Sequence, residues 1–303
     1  VDEMKKVAIA TIVVLTSACS QNSNSDLTQS NLDNEANSST PEWAYLRQKA
    51  PGLIPEAFAP GLVSTEHWEG SGVFTPDLTE FYLRRSGGDY EDMVSTVFQY
   101  KDNQWQESII TPRMGQPFIA PDGKTMHLGK RYKERTDAGW SEIKNLGGAF
   151  EDIAIMRLTA SSKGTYYFDE FTTEGDGVIR YSRLVDGERE APRYVTGQIN
   201  SGAWLAHPFI APDESYILWD GQKEGGFGDA DIYISFRQED GSWGHAINLG
   251  DEINTDAWEA EARVTPDGKY LFFNRNMGSD SYENVDIFWV DAQVIDTLKD
   301  QNK

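Results

Sequence analysis

The sequence predicts an all-β fold, a β-propeller of five four-stranded blades closed by an N-terminal strand, and three observations carry that prediction. The first is a repeated hairpin. Residues 265–273 read TPDGKYLFF, in which Pro266 presets φ for a turn, Asp267 can accept from the backbone ahead of it, and Gly268 suits a left-handed position, with β-rich runs on both sides. Copies stand at residues 72–83 (GVFTPDLTEFYL), 117–128 (PFIAPDGKTMHL) and 208–219 (PFIAPDESYILW), and a weaker one at 158–168 (LTASSKGTYYF) keeps the Gly and the aromatic second strand. The second observation is spacing: the residue before Pro-Asp falls at Thr75, Ala120, Ser161, Ala211 and Thr265, a period that suits four-stranded blades. The third is Trp68, Trp204 and Trp258, each eight positions before its turn proline. A six-bladed ring is the alternative count.

Taken in order, the chain of 303 residues opens with Met4-Lys5-Lys6 and an apolar run, residues 7–16, that has the form of a secretory signal and is too short to span a membrane. A signal peptide is expected over residues 1–18. Cys19, the only cysteine, cannot form an internal disulfide. Standing behind an apolar run and small residues, it resembles the lipobox cysteine of bacterial lipoproteins, which implies a lipid anchor at that position. Residues 20–40 are rich in Asn, Ser and Asp, so they cannot offset their ordering entropy and are expected to form a disordered tether. A short helix is expected over residues 41–50, with Pro41 in its first turn, and a lead-in follows to residue 58. The propeller then occupies residues 59–303.

Within that array, residues 231–237 (DIYISFR) and 243–250 (WGHAINLG) supply the third and fourth strands of one blade, echoed at residues 103–109 and 140–147. The last blade has a third strand at residues 286–291 (DIFWVD), but residues 292–299 read as a helix, so its fourth strand must come from elsewhere. Residues 59–65, otherwise unpaired, are the expected donor, and such closure removes exposed edges. The Pro-Asp-Gly hairpins, Asp-Ile-Tyr strands, Trp-x5-Asn-Leu-Gly outer strands and terminal DIFWVD resemble the WD-repeat-like β-propeller repeats of TolB-type bacterial envelope proteins. The resemblance covers residues 59–299 and implies an architecture rather than an activity.

Composition narrows the function. With 49 acidic and 27 basic side chains the formal charge is -22, which argues against a nucleic-acid or anionic-membrane surface, since such contacts need Lys and Arg in excess. Five positions before each turn proline stand Ser71, Gln116, His207 and Glu261, with Arg157 at the third-copy equivalent. Their shared register places them at one height on the innermost strands, by the central channel, and makes them the candidate ligand-binding ring. Polar residues also line such channels simply because they are wet. Trp68, Trp204 and Trp258 form a candidate aromatic rim, open equally to a packing role.

Catalytic readings find less support. His207, Glu261 and Gln116 could in principle ligate a metal, but the ring has one histidine, so no metal site and no cofactor are expected. The sequence has no Gly-x-Ser-x-Gly elbow. Glu69 and Glu259 share a blade position, which favours structure over acid-base work, and Asp77, Asp122, Asp213 and Asp267 read as turn caps. Residues 225–231 and 276–284 lack calcium-loop spacing. The expectation is a monomeric, non-catalytic module of the bacterial cell envelope, lipid-anchored on the periplasmic side or outer surface, that engages a protein or glycan at one face of the ring. A metal-dependent carbohydrate hydrolase or lyase using the channel is the alternative.

Overall fold

Each Pro-Asp turn folds back on itself in the computed structural model, which describes residues 40–110 and 112–301. Asp77, Asp122, Asp213 and Asp267 each accept the backbone N–H two residues on, so all four are turn caps. The left-handed turn position is taken by Gly123 and Gly268, and in the other two copies by Leu78 (φ 60°) and Glu214 (φ 67°). In the third copy the Ser161 N–H bonds to the Thr165 carbonyl, whereas Thr265 reaches Tyr270. That turn is one residue shorter, which is why its sequence departs from the others.

The strands assemble into antiparallel units in chain order. The first runs Trp68–Phe74, Glu80–Gly87, Tyr90–Lys101 and Gln104–Ile110. The second runs Pro117–Ile119, Thr125–Leu128, Arg131–Thr136 and Lys144–Asn145, with Gly139–Trp140 folded onto its third strand. Leu158–Ala160, Tyr166–Glu170, Val178–Ser182 and Arg193–Tyr194 make the third, and Ala203–Ile210, Tyr216–Gln222, Asp231–Phe236 and Ile247–Asn248 the fourth. The fifth has Glu259–Val264, Tyr270–Asn276 and Val285–Asp291 from the C-terminal end, and the helix Gln293–Gln301 follows. This is an all-β propeller fold.

The fourth strand of the last unit does come from the N-terminal side, at a different place from the one expected. Glu56–Ala57 pairs antiparallel with Phe288–Trp289, and the Phe58 N–H continues to the Ile287 carbonyl. Residues 59–65 instead turn back, with Ala59 and Gly61 at positive φ, and reach the partner strand through Ser64 Oγ to the Ile287 carbonyl and the Thr65 N–H to the Asp286 carboxylate rather than by strand pairing. The Pro60-Gly61 pair is the physical reason, since it breaks an extended run. Upstream, the expected helix over residues 41–50 is a turn and a single 3-10 turn, Tyr45–Arg47, whose three residues all take positive φ. Isolated short helices are marginal, and packing decides here. Tyr45 is buried against Phe74, Tyr270 and Trp289, and its hydroxyl donates to Asp267 Oδ1 at 2.6 Å.

Innermost strands of the first, fourth and fifth units share one irregularity. Their pairing register shifts between Gly70 and Val73, Ala206 and Phe209, and Ala260 and Arg263. The bulged residues Ser71, His207 and Glu261 have φ of 58°, 50° and 57°. A bulge re-aims a side chain, and these three are among the five residues that the repeat register singles out.

Candidate functional site

The bulges bring the ring residues into one buried network. Ser71 Oγ donates to Glu261 Oε2 at 2.7 Å, and the Arg84 guanidinium donates to Ser71 Oγ and lies 3.5 Å from Glu261. Arg263 sits 3.5 Å from the same carboxylate and donates to the Pro117 carbonyl. His207 Nδ1 lies 3.0 Å from Asp220, and its Nε2 lies 3.1 Å from the Gln116 amide. Carboxylates of one unit then receive backbone N–H groups of the next: His207 N–H donates to Asp169 Oδ2 and Glu261 N–H to Asp220 Oδ1. Arg157 completes the set through its N–H to Asp169 Oδ1, with its guanidinium fully buried.

Protonation follows from this packing. Burial pushes the His207 imidazole down, but Asp220 more than offsets it and holds its pKa above the ordinary histidine value. Burial likewise works against the Glu261 carboxylate, yet His207, Arg84, Arg157 and Arg263 hold it at about 2. Asp169 is raised by burial despite the N–H groups it accepts. The Glu261 carboxylate is therefore ionised at neutral pH and committed to Ser71 and two arginines.

Two mouths open on either side of this septum. The one on the turn side is a cavity of about 150 Å³ walled by Pro76, Pro121, Pro212 and Pro266, with Arg263 its charged lining residue. The opposite mouth, about 340 Å³, has His207 and Asp220 in its floor and Phe171, Trp204, Trp258, Tyr282 and Asp229 around it. Trp204 is 47% exposed. Its indole is backed by Gly175, where an added Cβ would come within 2.6 Å of the ring. Trp258 meets Tyr282 edge to face at 5.6 Å. Of the three repeated tryptophans, Trp204 and Trp258 thus share this mouth with His207, whereas Trp68 lies under the Arg84 guanidinium, 5.2 Å from its ring centroid, and does not line it.

Glu69 and Glu259 are accounted for by structure. Each accepts the N–H and the hydroxyl of the threonine four residues earlier, Thr65 or Thr255, and so clamps its lead-in loop. His127 is buried beside Phe118 and Tyr166, and burial holds its pKa at about 3. Among the described residues no group of three or more His, Cys, Asp or Glu side chains is placed to hold a metal ion. Sequence reasoning missed Arg84, Asp169, Asp220 and Arg263. The first three share a signal: each is the charged residue that directly follows three apolar or aromatic residues of its second strand, in the runs FYLR, YYFD and ILWD.

No protein-family model matches the chain, and no curated protein matches it in sequence. Solved structures do match in shape. The catalytic domain of the Coprinopsis cinerea GH62 α-L-arabinofuranosidase aligns over 80% of this chain and 97% of its own, at 9% identity and a TM-score of 0.50. TolB from Acinetobacter baumannii aligns over 74% of this chain at 13% identity and a TM-score of 0.45, and the chain spans 54% of TolB. A thermostable family-43 glycoside hydrolase aligns over 75% and 91% at 13% identity, TM-score 0.43. The ring of strand units defines the class, a β-propeller, and the first of these likenesses agrees with it in fold. At such identities they speak to the fold alone.

Proposed function

We propose that this chain is a non-catalytic, five-bladed propeller module of the bacterial cell envelope that binds a glycan or protein ligand at the mouth formed by Trp204, Trp258 and Tyr282. The observation that carries the reading is an exposed, backed aromatic rim over a floor whose carboxylate, Asp220, is already committed to His207 and the Glu261 N–H. Indole faces present large apolar area at low entropic cost and suit sugar rings or an apolar side chain, while the buried floor orients rather than reacts. A hydrolase or lyase would need a carboxylate free to trade protons with substrate. Here Glu261 is held by Ser71, Arg84 and Arg263, and Asp220 by His207 and the Glu261 N–H.

The envelope location rests on Cys19 and the preceding apolar run, which lie outside the described residues. A lipid on that cysteine would anchor the module without spanning the bilayer. Among the described residues no helix is long and apolar enough to cross a membrane. A glycan array and pull-down from envelope extracts, run with the native chain and with Trp204→Ala/Trp258→Ala, test the reading. Ligands retained by the native chain should be lost by the double variant, with unchanged circular dichroism. Retention by both, or turnover of any array glycan, would refute it.

A further inference from the structure

Among the described residues of the channel septum, one guanidinium stays outside the hydrogen-bond network. Arg84 and Arg263 share Glu261, and His207 has Asp220. The Asp169 carboxylate accepts the N–H groups of Met156, Arg157 and His207. Arg157 is 0% exposed, and none of its three guanidinium nitrogens has a hydrogen-bond partner. A guanidinium does not give up its proton in a protein, so the group cannot escape by becoming neutral. Leaving a buried charge without acceptors costs several kcal/mol. The Glu261, Asp220 and Asp169 carboxylates attract the guanidinium and Arg84 and Arg263 repel it, but none of these carboxylates hydrogen-bonds it.

A second observation points the same way. The Gln116 amide contacts His207 Nε2 through its nitrogen, while its buried Oε1 has no partner. An imidazole that keeps its Nε2 proton needs an acceptor there, which Gln116 supplies when its amide is turned. The buried position left over is then an N–H donor. The septum thus presents unmatched donors from two units of the ring. Arg157 lines neither mouth, so whatever meets these donors is small. We propose that the septum holds one monovalent anion of halide size on the Arg157 guanidinium, a fixed structural centre that locks the units together. This is independent of any ligand at the aromatic mouth.

The test uses the full chain. Crystals grown in sodium bromide should show one anomalous bromide peak in contact with the Arg157 guanidinium. Water-like density there, without anomalous signal, would overturn the proposal. In solution, chloride or bromide at constant ionic strength against gluconate should raise Tm saturably in site occupancy, by about 3–5 °C for each tenfold rise in halide above Kd. Arg157→Met should remove that halide dependence. Equal Tm in chloride and gluconate for the native chain would also refute it. If the variant does not fold, the bromide map of the native chain decides alone.

Discussion

At the scale of single residues, Glu261 decides the character of the channel. Its carboxylate is the shared acceptor of Ser71, Arg84 and Arg263, and its pKa of about 2 lies below the ordinary value of 4.5. A depressed carboxylate contributes stability that is fully present above the unfolded value and is lost as pH falls through the folded one. Glu261→Gln should therefore destabilise the protein by about 3–5 kcal/mol at neutral pH, by stranding the buried Arg263 and the partly buried Arg84. The gap between native and variant should close as pH drops from 4.5 toward 2, because the native carboxylate becomes neutral as well. Urea midpoints at a series of pH values measure this, and a gap independent of pH would remove the assigned role. Half of this network was legible in sequence. Ser71, Gln116, Arg157, His207 and Glu261 share a register, whereas Arg84 and Asp169 each stand next to a second charge, Arg85 or Glu170, and Asp220 stands at the end of an apolar run, so the sequence does not say which charge faces the channel. Asp169 was hidden further by the shortened turn of its unit.

At the scale of elements, the units are held at their outer edges by asparagines as much as by strands. The fourth strand of the fourth unit is two residues long, and Asn254 extends it: its Oδ1 accepts the Ile232 N–H at 2.8 Å and its Nδ2 donates to the Ile232 carbonyl at 3.0 Å. Asn200 does the same to Ile179 in the third unit. Both follow an isoleucine that is itself buried, Ile253 or Ile199. Asn254 is fully buried and Asn200 only partly. Asn254→Ala leaves the Ile232 N–H unsatisfied in the dry interior, while the Ile232 carbonyl keeps the Leu249 N–H, and should cost about 1–3 kcal/mol, and Asn200→Ala less, since water can replace part of what it loses. Equilibrium denaturation of the two variants gives the comparison, and equal, small losses would contradict it. Inner hairpins were readable because Pro, Asp and Gly act locally. These outer staples were not, because an asparagine that imitates a strand leaves no periodic trace.

At the scale of the molecule, closure of the ring depends on side chains more than on main-chain pairing. Among the described residues the entry segment pairs with the last sheet through Glu56 and Ala57, with single backbone bonds at Phe58 and Gly52, and the main chains of first and last sheets meet at the parallel bridge of Trp68 with Val285. Between them lies Phe58, fully buried, its ring 4.8 Å from Phe272, 5.0 Å from Trp289 and 5.3 Å from Phe81. Phe81 belongs to the first unit and Phe272 and Trp289 to the last, so one side chain from the entry segment joins both ends of the array. A repeat array gains stability from each interface between neighbours, and this is the one interface that the chain does not make by simple succession. Phe58→Ala should cost about 3–5 kcal/mol and speed amide exchange along Val285–Asp291 before the other sheets respond. Glu56→Ala, on an exposed side chain in the same pairing strand, should stay within about 0.5 kcal/mol. Hydrogen exchange and urea midpoints of the pair discriminate: if Phe58→Ala were as mild as Glu56→Ala, or if exchange rose evenly around the ring, the closing seam would lie elsewhere.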